Sequence, residues 1–278
     1  MNSARSLWSA LEPLHAVVYF APEPADAAKE AGLRGWWMGY FAGRAAPLGA
    51  VGPAPVTAMF YGFAPRMVER ALPDAWTFAS ADEVLRTRVE AVEAALARLL
   101  GPVSVDELVA LLETAVAGCR FDGRPLGAAW AAASRPDRPL ARLWLATAAL
   151  REHRGDGHVL AAVASGLSGL EASLTHIATG ATTREQLQRA RGWTDEEWTA
   201  ATERLAERGL LDRDGLTSAG ADVRRTVEET TDRLAADPLA ALGPAGVERV
   251  LELATPLSRA VVDAGGVPIP NPMGMPRP

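Results

Sequence analysis

A chain of 278 residues, 49% hydrophobic and 22% charged, is long enough for one large or two ordinary domains with real cores. That balance excludes a disordered or fibrous protein. The formal net charge is −6, a single cysteine (Cys119) excludes an internal disulfide, and no run of about 18 apolar residues supplies a membrane span. Neither a signal-like N-terminus nor a targeting segment is visible, so a cytoplasmic protein is expected. Lys29 is the one lysine among 28 basic residues; nearly every cation is therefore a guanidinium, suited to bidentate pairing with carboxylates.

In chain order, Leu7, Leu11, Leu14 and Val18 recur at helical spacing, predicting a helix interrupted by Pro13 and stopped by Pro22 and Pro24. An aromatic helix follows over 36–45, then a Gly/Pro loop, a short helix carrying Met59, Phe60 and Phe63, and another opened by Pro65. The cleanest amphipathic pattern runs from Ala81 to Leu100. Ser104 with Glu107 reads as a capping box, and a short helix surrounds Trp130. Helical pattern over 140–153 meets Arg154-Gly155-Asp156-Gly157, which predicts a corner before a further helix over 158–165.

From Leu170 to Val227 the order of signals is specific. One helix ends at Gly180, Thr182 caps a second over 183–191, and Gly192 ends that. Thr194 caps a third, with Asp195, Glu196 and Glu197 in its first turn. Residues 211–217 form a hairpin with Asp-Gly at its turn, and Ser218 caps the next helix. Helix, turn, helix, β-wing and long helix make a winged helix. The expected fold is therefore mainly α: a helical N-terminal half (1–166) packed on a winged helix with a small β-wing and long terminal helix (167–266), then a Pro-rich tail (267–278).

Arg184, Arg189, Arg191, Arg204 and Arg213, with Arg208, are the candidate DNA contacts on this unit. Yet residues 166–278 carry 12 Arg against 17 acidic residues, while 1–165 carry 16 basic against 17 acidic. The recognition helix opens on three acids where phosphate is normally met. DNA is thus an admissible but disfavoured partner, with the winged helix as scaffold or dimerisation element given equal weight.

Three polar groupings stand out in the first half. Arg151 to His158 packs two imidazoles, carboxylates and arginines into eight residues; His153, Asp156 and His158 are the candidate acid–base groups, while a structural corner is the plain alternative. No metal is expected, because the histidine spacing matches no zinc motif. His15 and Tyr19 share a helix face, as do Tyr40 and Arg44 beside Trp37. Together with Arg151 and His158 these residues are the candidate ligand contacts, by hydrogen bonding or by guanidinium–aromatic stacking. Cofactor-binding and nucleophile-elbow motifs are lacking, so no cofactor is expected.

The motifs "Thr-x-x-Gln-Leu", "Leu-x-x-Arg-Gly-Leu-Leu" and "Leu-Thr-x-x-Gly" resemble the MarR-like group, whose long terminal helix serves dimers; here that helix is expected over 247–264. Residues 11–15, 39–49, 60–63, 70–73, 150–158 and 270–272 together resemble a little-characterised family of helix-turn-helix proteins from high-GC filamentous bacteria. The resemblance implies one integrated architecture and no particular activity. Trp130 departs from the family pattern, which favours Asn there. The expected function is a small-molecule-binding winged-helix protein, a ligand-responsive regulator of homodimeric type whose ligand is a planar or anionic secondary metabolite. The alternative is a metabolic enzyme using acid–base chemistry at residues 151–158, with the winged helix as scaffold.

Overall fold

The computed structural model describes residues 3–180, 182–271, 273–275 and 277–278. The first half is built from α1 (Ser3–Phe20), α2 (Pro22–Glu30), α3 (Gly35–Ala45), α4 (Pro53–Phe60), α5 (Pro65–Glu69) and α6 (Ala75–Phe78). It continues with α7 (Ala81–Leu100), α8 (Asp106–Ala117), α9 (Pro125–Ala132) and α10 (Pro139–Ala164). The second half holds α11 (Gly169–Ile177), α12 (Arg184–Arg191), α13 (Asp195–Glu207), β1 (Leu211–Asp212), β2 (Gly215–Leu216), α14 (Ser218–Leu234) and α15 (Asp237–Asp263). The mainly α fold with a two-stranded wing is the expected one. Among the described residues no helix is long and apolar enough to cross a membrane.

Three apolar cores form. The first gathers α1, α7, α8, α10 and α15 around Trp144 and Trp130. The second is aromatic, with Phe41, Phe60 and Phe63 packed among α3–α7. The third is the winged-helix core of Leu170, Trp198, Leu205, Leu210 and Val227, joined by Ala161 and Ala162 from the end of α10. One long helix therefore reaches from the first core to the third.

That continuity corrects the expected corner. Residues 151–158 lie in mid-helix, and Gly155 and Gly157 do not break it. Each glycine costs a helix interior about 1 kcal/mol, but packing outweighs the cost. A side chain at Gly157 would crowd Leu234 at the end of α14, so the glycine eases its approach. α1 ends at Phe20, before Pro22 and Pro24 as expected, but it runs through Pro13 without a break. Pro22 and Pro24 sit in the first turn of α2, where a missing N–H leaves no bond unmade. The proposed Ser104 cap is replaced by a Ser104–Asp106 side-chain bond of 2.9 Å, and α8 starts without a side-chain cap.

Caps in the winged helix fall within a residue of expectation. Thr183, Thr194 and Thr217 accept from the amides three residues on, and Thr194 forms a full capping box with Glu197. The wing pairs Leu211 with Leu216 and Asp212 with Gly215, leaving Arg213 and Asp214 at the turn. The terminal helix starts earlier than expected, at Asp237, and kinks at Gly243 (φ 65°), followed by Pro244. Its buried Val250, Ala254, Ser258 and Val261 pack in the first core against α1 and α8. The face expected to meet a partner subunit is thus covered within the chain. The Pro-rich tail returns to the same core through Val267 and Met275.

Candidate ligand site and helix-turn-helix interface

Five elements deliver ionisable groups to one buried region beside the aromatic core. From α1 come Glu12 and His15, each 2% exposed, and half-buried Tyr19. From α3 come Tyr40 and buried Arg44; from α7 comes buried Arg88; from α10 come Arg151 and Glu152. Half-buried Arg191, at the end of α12, lies 4.1 Å over the Phe63 ring and close enough to Tyr40 to lower its phenol. Helical spacing explains the local pairs, since His15/Tyr19 and Tyr40/Arg44 are each one turn apart.

A bidentate pair anchors the region: Arg44 Nε and Nη2 donate to Glu152 Oε1 and Oε2, both at 2.7 Å. Arg44 also stacks 4.2 Å over Phe60. Burial alone would raise the Glu152 carboxyl, but Arg44 and Arg151 outweigh it and hold it at about 2. Burial raises Glu12, pushes Tyr19 up to about 12, and holds His15 well below the ordinary imidazole range. For Tyr40 burial is outweighed by Arg44, Arg191 and Arg151, which lower the phenol.

Charge in this region does not balance. Arg44, Arg88, Arg151 and Arg191 face Glu12 and Glu152, four cations against two carboxylates in a protein of net charge −6. Arg88 makes no ion pair among the described residues, and its nearest rings, Tyr19 and Trp144, stand about 6 Å away (5.8 and 6.0 Å). A buried guanidinium with no counter-ion is expensive to keep. Such groups can engage a hydrogen-bond acceptor or an anion, and the rings beside them can stack on a planar molecule.

The proposed acid–base trio does not converge. His153 contacts Arg124 (2.7 Å) and the Arg120 carbonyl, Asp156 accepts from the Gly127 amide at 2.9 Å, and His158 meets Thr231 at 3.1 Å. Burial first, then neighbouring arginines, lowers both imidazoles to about 4; burial raises Asp156 to about 6. All three serve to seat α9, α14 and α15 on α10. His158 accordingly stands apart from the other candidate ligand contacts, whereas His15, Tyr19, Tyr40, Arg44 and Arg151 are brought together and Trp37 borders them 5.7 Å from Tyr40. Among the described residues no three His, Cys, Asp or Glu side chains are grouped to hold a metal ion.

The turn between α12 and α13 sits directly against the first half. The Ala64 amide donates to the Arg191 carbonyl (2.9 Å), and Trp193 Nε1 donates to the Gly62 carbonyl (2.9 Å). Arg66 clamps Glu197 with two bonds of 2.9 and 2.6 Å and also donates to the Gly192 carbonyl. A helix, a glycine turn and a second helix are thus backed by α11 and flanked by the wing, and the chain matches a model described as a helix-turn-helix family over residues 4–268. The chain belongs to the helix-turn-helix family. No curated protein and no solved structure was found to match it.

Within this helix-turn-helix unit the candidate DNA contacts are largely committed elsewhere. Arg184 pairs with Asp195 (2.8 Å), Arg204 and Arg208 with Glu171 (3.2 and 3.6 Å), and Arg213 with Asp214 (3.4 Å). Arg191 turns inward. Arg189 is exposed and makes no ion pair among the described residues. The solvent side of α13 instead shows Asp195, Glu196, Glu203 and Glu207. Sequence reading passed over Glu12, Arg88 and Glu152 as site residues. Arg88 did leave a signal: it lies four residues from both Val84 and Val92, a charge set in the apolar stripe of α7.

Proposed function

We propose that this helix-turn-helix protein binds a small organic molecule at the junction of its two halves, with α12 forming one wall of the site. The observation that carries the reading is that Arg191 of the helix-turn-helix joins Tyr19, Tyr40, Arg44 and Arg88 in one buried cluster holding more cations than anions. The aromatic surroundings favour a planar ligand and the arginines an acceptor or anionic group on it, chemistry common among secondary metabolites. Acid–base catalysis at residues 151–158 has no such support, because its three groups point to different neighbours.

A regulatory output is the second reading, favoured by the clamp of Arg66 on Glu197 at the start of the recognition helix. A ligand that draws on Arg191 bears on the same turn, so occupancy and release of α13 are linked through one residue. Dimerisation of MarR-like type through α15 is no part of this reading, since α1 and α8 cover its apolar face.

Titration of tryptophan fluorescence tests the binding reading, because Trp36 and Trp37 lie 5.3 and 5.7 Å from Tyr40. Indole and indole-3-carboxylate are suitable planar probes. Saturable quenching that weakens in Tyr40→Phe and Arg191→Gln is expected. Linear, unsaturating quenching that is identical in the variants would remove the assignment.

A further inference from the structure

A recess opens beside this cluster and shares Glu12, His15 and Arg151 with it, between α1, α10 and the α14–α15 junction. Its walls include Leu7, Leu11, Leu150 and Pro238, and its polar side is made by Glu12, His15, Arg151 and Arg154. The recess encloses about 410 Å³ counted with its open side, of which about 30 Å³ is free for water-sized groups. At about 10–15 Å³ per water, that is room for about two waters or small polar atoms.

Five buried side-chain atoms among the described residues lack a hydrogen-bond partner, and three of them belong to this wall: His15 Nδ1, Arg151 Nε and Arg154 Nη1. The two guanidinium atoms are donors only. His15 is neutral, held so by burial and by Arg151. His15 Nε2 lies 3.3 Å from the Tyr19 hydroxyl; in the tautomer in which it accepts from that hydroxyl, Nδ1 carries the hydrogen and is a third donor.

The carboxylates nearby are ion-paired with these arginines but close no hydrogen bond to the unpartnered atoms. Glu12 accepts from Trp8 Nε1 at 2.9 Å and stands 3.5 Å from Arg151 Nε. Glu152 is engaged by Arg44 and also lies 3.5 Å from Arg151. Arg154 spends Nη2 on Asp232 at 2.7 Å, which leaves Nη1 unmatched. Two unmatched guanidinium donors, joined by His15 Nδ1 in that tautomer, suit an acceptor-only group, and a charge-assisted bond to one is about twice as strong as a neutral bond.

We infer that this recess binds the carboxylate of a small organic acid, its alkyl or aryl part lying along Leu7, Leu11 and Leu150. The inference rests on the small-molecule reading and gives that ligand a chemical class: a monocarboxylate whose head meets Arg151, Arg154 and His15.

The test is calorimetric titration of the full chain with sodium acetate, butyrate and hexanoate, against butanol and sodium chloride at matched ionic strength. Saturable binding of the acids, tightening with chain length and absent for chloride, is expected. Arg154→Gln and His15→Gln should each weaken butyrate about tenfold or more, the cost of losing a bond to a charged group. Butanol binding as well as butyrate, or no saturable binding of any acid, would overturn the inference without relying on a variant. A parallel titration with indole separates the two claims. Indole bound and acids not bound would remove the carboxylate and keep the small-molecule reading; neither bound would remove both.

Discussion

Glu152 shows how much one buried residue can carry. It is 1% exposed and takes both arms of Arg44, so neutralising it strands a guanidinium. Glu152→Gln should cost about 3–5 kcal/mol, the usual penalty for breaking a buried pair from one side, read as a lower midpoint in urea unfolding. Titration of α10 gives a second prediction. His153 is held near 4 against an ordinary 6.5, so its contribution is present above pH 6.5 and lost as pH falls through 4. Asp156 is raised from 3.8 to about 6, so its contribution is present below 3.8 and lost as pH rises through 6. At 1.36 kcal/mol per unit the two are of order 3 kcal/mol each and opposed. Asp156→Asn keeps the acceptor for the Gly127 amide and should raise stability at pH 7.5 while leaving it nearly unchanged at pH 3.5. An equal gain at both pH values would show that burial of the charge is not the cause. His15, Tyr19, Tyr40 and Arg44 were visible as site candidates because their helical spacing is local. Their partners from elsewhere were not, because Arg88 on α7 and Glu152 on α10 reach the cluster only through tertiary packing.

At the scale of elements, local chemistry and packing contributed differently. The helix-turn-helix was legible because Thr194, Glu197, Gly192 and the Asp-Gly hairpin act within a few residues of themselves. The continuity of α10 was not. Gly155 and Gly157 carry the same local signal as a break, and only the approach of α14 decides otherwise. Gly192 is the sharpest test of the interface. Its φ is +74°, and a methyl group there would overlap Met67 of α5. Gly192→Ala should destabilise the protein by about 1–3 kcal/mol through overpacking and backbone strain. Hydrogen exchange should then speed up at residues 62–67 as well as 188–197; faster exchange in the second stretch alone would mean that the two halves do not share this contact.

For the whole molecule, α10 joins the first and third cores, and the turn of the helix-turn-helix closes on residues 62–67. Charge follows this plan: cations gather inside at the junction, while the solvent side of α13 is acidic. Duplex DNA should therefore bind no more tightly than about 10⁻⁶ M at physiological salt, the upper end of non-specific affinity. Fluorescence anisotropy across a salt series checks this, and tight binding with a steep slope would overrule the charge argument. The mainly α fold and the placement of the wing could be read from the sequence. The junction could not, because it depends on how two separately legible halves meet. Hydrogen–deuterium exchange of the full chain, with and without saturating indole, tests the shared ligand site most directly. Slowed exchange in both α3 (residues 36–44) and the end of α12 (residues 188–193) is the predicted result. Protection confined to the first half, or none in either, would contradict a site that the helix-turn-helix helps to form.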